Sequence, residues 1–287
     1  MKNDQLLTRR RALIAAAAVL GAAGAGSALA LSGGDEPVRP APAPAAPAAG
    51  PRAGPRAGSA LKPSAYRLQP LTGYGGPPRA APGRTPVRHE PFLRMSGRGR
   101  TMVLTFDDGP DPRYTPHILD TLAEHDVRAM FFVCGEMAVD NQDLLARMAD
   151  DGHIVGNHTW THPLLTRLRR SRIRSEMERT SDVIEKAYGE PPVWFRAPYG
   201  AWNRAAFQLG AEMGMEPLAW TVDSLDWTTP GTRTIVHRVE DGAAPGVVVL
   251  SHDAGGNRSQ SVRALRTYLP QLLDSGYHIT LPRRRNA

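Results

Sequence analysis

Strand-like apolar runs alternate with helical stretches from about residue 91 to the end of the chain, and this alternation restricts the fold more than any other feature. The apolar runs predict seven strands, at residues 102–106, 127–133, 153–157, 193–196, 216–222, 246–251 and 277–281. Helical periodicity predicts six helices between them, at residues 115–125, 141–151, 171–188, 203–213, 232–241 and 260–275. Strands that alternate with helices indicate a parallel sheet with right-handed crossovers. The sequence therefore predicts an α/β fold, either an open doubly wound sheet or a barrel.

The first 30 residues have the features of an export signal. They contain the basic run Thr8-Arg9-Arg10-Arg11, an Ala/Gly-rich stretch, and the small-x-small cleavage pattern Ala28-Leu29-Ala30. The arginine pair resembles the twin-arginine type of signal, with a general secretory signal as the alternative. Because alanine and glycine bury little apolar area, we expect no stable membrane span after cleavage. The mature protein is predicted to be secreted or associated with the cell wall.

Residues 31–88 are predicted to form a disordered tether, because they are rich in Pro, Ala, Gly and Arg and poor in β-branched and aromatic residues. The net charge of +7 comes from the N-terminal part of the chain. Residues 1–88 carry 12 Lys/Arg and 3 Asp/Glu, whereas residues 89–287 carry 23 and 25. A basic tether suits an anionic cell-wall polymer better than a groove that reads nucleic acid, so no nucleic-acid partner is expected. The folded domain is predicted to span residues 89–287.

Two adjacent carboxylates follow the first predicted strand, in the segment Thr105-Phe106-Asp107-Asp108-Gly109-Pro110. Gly109-Pro110 must end that strand. Side chains alternate along an extended chain, so Asp107 and Asp108 point in different directions unless the turn redirects one of them. One could then hold a metal while the other handles a proton. An ordinary solvated turn is the alternative.

Ionisable groups also follow other predicted strands, at the end of a barrel where catalytic residues lie. His158 and His162, four residues apart, share one face if the segment turns helically, as zinc-binding pairs require. Two imidazoles and one carboxylate leave coordination positions open for water and substrate, which is typical of a catalytic metal. Such a site polarises a carbonyl oxygen and acidifies water, so it indicates a hydrolase.

Five ordered segments resemble the motifs of the polysaccharide deacetylase family, the NodB-homology carbohydrate esterases. They are Thr105-Phe106-Asp107-Asp108-Gly109, His158-Thr159-Trp160-Thr161-His162, Arg196-Ala197-Pro198-Tyr199-Gly200, Asp223-Ser224-Leu225-Asp226-Trp227 and Leu250-Ser251-His252. The resemblance covers residues 101–281. It implies a distorted (β/α) barrel of about seven parallel strands, and a reaction that removes acetyl groups from N-acetylglucosamine or acetylated xylose units.

The same resemblance implies the ligands and the proton-transfer groups. Asp108, His158 and His162 would bind one divalent metal, and Asp107 would be the general base. The mixed nitrogen and oxygen ligand set suits zinc, and Co²⁺, Ni²⁺ or Mn²⁺ would also fit. His252 would be the acid that protonates the leaving amine.

Supporting roles follow from the resemblance as well. Arg196 would hold Asp107, and Asp226 would orient His252, although spacing alone leaves Asp223 and Asp226 interchangeable. The backbone amide of Tyr199 would donate to the oxyanion, and Leu250 would line a pocket for the acetyl methyl group. Trp227 is a further candidate for substrate binding, although Trp227, Trp160 and Trp202 are more typical of core or rim packing.

We therefore expect a secreted, metal-dependent deacetylase of an acetylated polysaccharide, with peptidoglycan ranked first, chitin-type oligomers second and acetyl xylan third. The alternative from another class is a non-catalytic module that binds cell-wall carbohydrate. Such a module would have lost a ligand or the base, and none is missing. Cys134 is the only cysteine, which excludes an intramolecular disulfide and a four-thiolate zinc site. The basic stretch at residues 164–170 could bind an anionic polymer or form a solvated helix entry.

Overall fold

The computed structural model describes residues 85–95 and 99–282. The predicted export signal and all but the last residues of the predicted tether lie outside this range. Within it the chain forms eight strands: β1 Thr101–Asp107, β2 Met130–Val133, β3 Ile154–Asn157, β4 Trp194–Phe195, β5 Glu216–Pro217, β6 Val222–Asp223, β7 Val247–His252 and β8 His278–Ile279. All strand pairings are parallel.

The helices lie between the strands, as the periodicity predicted. They are α1 Thr115–Glu124, α2 Gly135–Asp140, α3 Gln142–Asp150, α4 Arg170–Tyr188, α5 Arg204–Glu212, α6 Thr232–Asp241 and α7 Ser259–Asp274. Only α2 was not predicted, because its six residues are too few to show a helical period. Short 3-10 helices occupy Leu165–Arg167, Pro198–Gly200 and Asp226–Thr228. None of the helices in the described ranges has the length and apolar character that a membrane crossing needs.

The sheet has the order β5-β4-β3-β2-β1-β7-β6, with β8 paired to β1. The prediction of a single strand at residues 216–222 is wrong, because this segment forms both outer strands. β5 pairs with β4 at one edge, whereas β6, a few residues later, pairs with β7 at the other edge. The sheet therefore curls until one chain segment joins its two edges. The predicted α/β fold, a distorted (β/α) barrel, is confirmed.

Residues that precede β1 lie beside this joining segment. The backbone N–H of Phe92 donates to the carbonyl oxygen of Pro217 at 2.9 Å, and the N–H of Ala219 donates to the carbonyl of Phe92 at 2.8 Å. Arg88, at the last position of the predicted tether, makes an ion pair of 2.9 Å with Glu216. These contacts support the joining segment, and the Phe92 side chain packs against Trp194. The domain boundary at residues 88 and 89 remains a prediction.

Side chains of β1 alternate between two cores, as those of a strand buried on both faces must. Met102, Leu104 and Phe106 pack in the larger core with the helices. Val103 belongs to a separate cluster inside the barrel, together with Met130, Phe132, Trp194, Leu218 and Val248. Thr105 and Asp107 have the same parity as Val103, and their partners on β7 are Leu250 and His252. The barrel interior is therefore apolar at one end and carries polar groups where the strands end.

Candidate metal and catalytic site

The turn after β1 redirects one of the two adjacent carboxylates. Asp108 has a left-handed backbone, with φ of 78°. As a result both carboxylates approach the same imidazole: Nε2 of His158 lies 3.6 Å from Oδ2 of Asp107 and 3.6 Å from Oδ1 of Asp108. Nε2 of His162 lies 3.4 Å from Oδ1 of Asp108. Only Asp108 is thus shared by both histidines.

The segment that carries the two histidines is not helical, so the condition under which spacing alone would place them on one face is not met. Thr159 and His162 have left-handed φ values of 71° and 53°. Asn157, at the end of β3, accepts a hydrogen bond from the N–H of Thr159 at 2.9 Å. The resulting loop still brings the two imidazoles together, with 4.9 Å between ring centroids.

The three candidate ligands fit a divalent cation. Ligand atoms of Asp108, His158 and His162 all lie within 4.8 Å of one another. Oδ1 of Asp108 is buried and has no hydrogen-bond partner in the described part of the chain, which is costly for an isolated carboxylate oxygen. Nδ1 of His158 lies 2.9 Å from the carbonyl oxygen of Arg196. Because a carbonyl only accepts, Nδ1 carries the hydrogen and the Nε2 lone pair faces the carboxylates.

Burial also keeps both imidazoles available as ligands. It lowers the pKa of His158 well below the ordinary value, and it lowers the pKa of His162. A histidine must be neutral to bind a metal. The site therefore combines neutral nitrogen donors with one carboxylate oxygen, a set that suits Zn²⁺ and related ions.

Asp107 is held by a buried arginine. Nη1 of Arg196 donates to Oδ1 of Asp107 at 2.6 Å and to Oγ1 of Thr105 at 2.8 Å. The other guanidinium nitrogens donate to the carbonyl oxygens of Leu218 and Ala219 at 3.1 and 3.0 Å. Burial raises the pKa of Asp107 to about 6, although the charge of Arg196 opposes the shift. Asp107 is thus a fixed carboxylate that titrates close to neutral pH.

His252, at the end of β7, forms a second buried pair with Asp226. Nδ1 of His252 lies 2.7 Å from Oδ1 of Asp226, and the backbone N–H of His252 donates to Oδ2 at 2.9 Å. Ser261 also donates to Oδ2, at 2.6 Å. Asp223 instead accepts the N–H of Leu225 at 2.9 Å. The structure therefore places Asp226, not Asp223, against His252.

The pair with Asp226 favours the charged imidazole. Burial alone would lower the pKa of His252, but the charge and hydrogen bond of Asp226 outweigh burial and raise the pKa to about 9. A raised pKa in the folded protein means that this pair stabilises the fold when His252 is protonated. Its contribution is lost as the pH rises through about 9.

The three predicted substrate-binding residues, Tyr199, Leu250 and Trp227, differ in how far they are exposed to solvent. Tyr199 has a left-handed backbone, with φ of 59°, and its side chain is 61% exposed. Its ring lies edge-on to His162, with 4.5 Å between centroids. Leu250 is buried next to Thr105 in the sheet register, inside the barrel. Trp227 is 50% exposed, beside Asp226 in the chain. Tyr199 and Trp227 are therefore available to a ligand from solvent.

Sequence reasoning missed the residue that supports the Asp107-Asp108 turn. Asp253 is buried, and it accepts the N–H of Gly109 at 3.1 Å and the hydroxyl of Thr115 at 2.5 Å. A Cβ atom at Gly109 would overlap the Asp253 carboxylate, and one at Gly255 would lie 2.5 Å from Oδ2 of Asp108. Burial raises the pKa of Asp253 to about 7. The sequence feature that could have identified Asp253 is its position directly after His252, at the end of a strand.

A shallow, open depression of about 630 Å³, called the basic groove below, lies on the surface at the start of α4. It follows the histidine loop in the chain, because Arg167 is five residues after His162. Among the described residues, those that line it include no carboxylate: they are Arg167, Leu168, Arg169, Ser171, Arg172 and Ser175. The basic stretch at residues 164–170 thus contributes cations to a concave surface.

Comparison with known proteins bears on both fold and activity. The polysaccharide deacetylase family model matches residues 94–218. A chitooligosaccharide deacetylase of Rhizobium leguminosarum bv. trifolii is 38% identical over 207 residues, 68% of this chain and 96% of the relative. A peptidoglycan N-acetylglucosamine deacetylase superposes with a TM-score of 0.63 at 34% identity, over 66% of this chain and 88% of the other. A CE4 family pseudoenzyme from Bacillus anthracis superposes with a TM-score of 0.62 at 31% identity, over 66% of each chain. The resemblance to the polysaccharide deacetylase family is confirmed.

Replacing Asp226 with asparagine should lower the pKa of His252 below about 9, because burial continues to oppose the imidazolium and the compensating carboxylate is gone. NMR titration of ¹⁵N-labelled histidine measures the change. The matched control is Asp223→Asn, which removes a carboxylate that bonds to Leu225 instead. A larger drop in the Asp223 variant than in the Asp226 variant would contradict the pairing.

Proposed function

The chain belongs to the polysaccharide deacetylase family, and from this membership we propose that it is a metal-dependent hydrolase that removes the acetyl group from N-acetylglucosamine units. One observation carries the proposal. The Asp108, His158 and His162 set lies at the same end of the barrel as the Arg196–Asp107 and Asp226–His252 pairs, and Asp107 and His252 are direct partners in the sheet. A non-catalytic module that only binds carbohydrate does not need a metal-ligand set together with these two buried pairs.

A divalent cation bound by Asp108, His158 and His162 would polarise the acetyl carbonyl and make water more acidic. We propose Zn²⁺, because two imidazoles and one carboxylate form a common catalytic zinc set, and Co²⁺, Ni²⁺ or Mn²⁺ would suit the same donors. The side chains around these ligands then determine where protons go.

Asp107 and His252 are proposed as the base and the acid. With a pKa of about 6, Asp107 is ionised at neutral pH and can accept a proton from the attacking water. With a pKa of about 9, His252 is protonated at neutral pH and can donate to the nitrogen of the leaving amine. Two groups whose pKa values are separated in this way can act as base and acid at the same pH.

Other residues are proposed to orient the base and the substrate. Arg196 fixes the carboxylate of Asp107 through the 2.6 Å contact. The backbone amide of Tyr199 would donate to the oxyanion, since a preorganised N–H stabilises developing charge. Leu250 would contact the acetyl methyl group inside the barrel, and the exposed Trp227 would contact a sugar ring.

Peptidoglycan is the substrate that we propose first, ahead of chitin-type oligomers. Peptidoglycan carries peptide carboxylates, whereas chitin oligomers are neutral. The basic groove and the basic composition of residues 1–88 both suit an anionic polymer. We also propose that residues 1–30 direct export, so that the enzyme acts outside the cytoplasmic membrane.

Asparagine variants of the two adjacent aspartates should separate their roles. Asp107→Asn removes the base but no ligand, so bound metal should persist while turnover falls about 100-fold or more. Asp108→Asn removes an anionic ligand, so metal affinity should fall and excess metal should restore part of the rate. Metal analysis and acetate release measure the two effects.

Asp143→Asn, an exposed position on α3, is the matched control and should change neither metal content nor rate. Loss of metal in the Asp107 variant together with retention in the Asp108 variant would show that the two roles are reversed. Full activity of the wild-type chain without any metal would refute the proposed function itself.

Removing two arginines of the basic groove should raise the KM for peptidoglycan and leave the KM for neutral chitooligomers unchanged. Arg167→Ala combined with Arg169→Ala should raise KM for peptidoglycan about three- to tenfold, because each exposed charge contact contributes about 0.2–1 kcal/mol. The effect should shrink in high salt. Acetate release from peptidoglycan, chitooligomers and acetyl xylan measures it side by side.

Arg174→Ala is the control, since Arg174 pairs with Glu178 and Glu212 outside the groove. An equal loss on neutral chitooligomers, or none on peptidoglycan, would contradict the assignment of the groove to an anionic polymer. Fastest release from acetyl xylan would instead favour an esterase.

A further inference from the structure

Glu176, on α4, is a buried carboxylate for which the proposed reaction has no use. Its relative exposure is 1%. Oε2 accepts hydrogen bonds from the backbone N–H groups of Trp160 and Thr161 at 3.0 and 2.8 Å, and from the hydroxyl of Thr161 at 3.1 Å. Oε1 lies 2.9 Å from Nη2 of Arg172. Oε1 also accepts the hydroxyl of Thr161, at 3.3 Å. Only Oε2 thus binds the backbone of the loop between His158 and His162, and only Oε1 binds an arginine of the basic groove.

The loop that Glu176 binds has an unfavourable backbone. Thr159 is β-branched and has a φ of 71°, and His162 has a φ of 53°. Oγ1 of Thr159 is buried without a hydrogen-bond partner in the described residues. Such conformations persist only where surrounding contacts determine them. The loop therefore needs external support to keep both imidazoles on Asp108.

Helix α4 provides this support at two points. Asn157 donates from Nδ2 to the carbonyl oxygen of Met177 at 2.7 Å, which fixes the start of the loop next to His158. Glu176, the neighbouring residue of α4, fixes the two N–H groups in the middle of the loop. Through Thr161, Glu176 therefore holds the residue that directly precedes His162.

We propose that Glu176 is a positioning residue for the metal site, a role that rests on the proposed function. By accepting the N–H groups of Trp160 and Thr161, its carboxylate sets the path of the loop and holds His162 where Nε2 faces Asp108. The feature of Glu176 that positions His162 is the oxygen that accepts the two N–H groups of the loop. Its charge matters less, because Arg172 is paired to the other oxygen.

Three substitutions distinguish the acceptor from the charge. Glu176→Asp keeps the charge but withdraws the carboxylate from the loop by one methylene group. Glu176→Gln keeps an oxygen that can accept both N–H groups but has no charge. Glu176→Ala removes both. Glu178→Asp and Glu178→Gln are the matched controls, because Glu178 is an exposed residue of the same helix that pairs with Arg174.

The measurement is Co²⁺ affinity of the full chain, by competition with a chromogenic chelator, together with the visible spectrum of bound Co²⁺. The Asp and Ala variants should bind Co²⁺ about 10- to 100-fold more weakly, the usual effect of removing a group that orients a ligand. The Gln variant should lose clearly less, and the Glu178 variants should match the wild type. Saturating Co²⁺ should restore much of the lost turnover, which a role in the chemical step would not allow.

Thermal unfolding monitors whether each variant folds. Should the Ala variant not fold, the contrast between the Asp and Gln variants still decides the question. Wild-type Co²⁺ affinity in Glu176→Asp, or a greater loss in Glu176→Gln than in Glu176→Asp, would overturn the inference and leave the proposed function intact. A wild-type chain that binds neither Co²⁺ nor Zn²⁺ would overturn both.

Discussion

The buried ion pair between Arg196 and Asp107 connects the fold to the site. Arg196 is completely buried inside the barrel, where an unpaired charge would be strongly destabilising. Its guanidinium is satisfied by Asp107 and Thr105 of β1 and by the carbonyl oxygens of Leu218 and Ala219. Those two carbonyls belong to the segment that joins the edges of the sheet. The same guanidinium therefore closes the barrel and orients the proposed base.

Different surroundings give chemically identical side chains different properties. Asp107 contacts an arginine, whereas Oδ1 of its neighbour Asp108 has no hydrogen-bond partner among the described residues and faces two imidazoles. His158 is buried against a backbone carbonyl and is held neutral, whereas His252 is partly buried against Asp226 and is held charged. Asp107 and His158 are buried, and Asp108 and His252 are partly buried, so the partner of each group decides what it can do.

The sequence predicted those features that depend on local pattern. Helix and strand periods are visible within a few residues, so most elements were predicted within a few residues of their bounds. The sequence did not predict the division of residues 216–222 into two strands, because each half pairs with a strand that is remote in the chain. Spacing alone left Asp223 and Asp226 interchangeable, the family resemblance favoured Asp226, and the tertiary structure places Asp226 against His252. The contacts of Asp253 and Glu176 depend on tertiary structure and were not predicted. Residue types and spacing indicated which groups could form a site, and packing determined how they are arranged.

The roles of the two adjacent aspartates depend most directly on where the metal binds. A crystal structure of the Zn²⁺-loaded chain, with anomalous data collected at the zinc edge, measures this without reference to any substrate. We predict one anomalous peak within about 2.0–2.2 Å of Nε2 of His158, Nε2 of His162 and a carboxylate oxygen of Asp108, with Asp107 still bonded to Arg196. A peak bound by Asp107 in place of Asp108, with Arg196 displaced, would contradict the account.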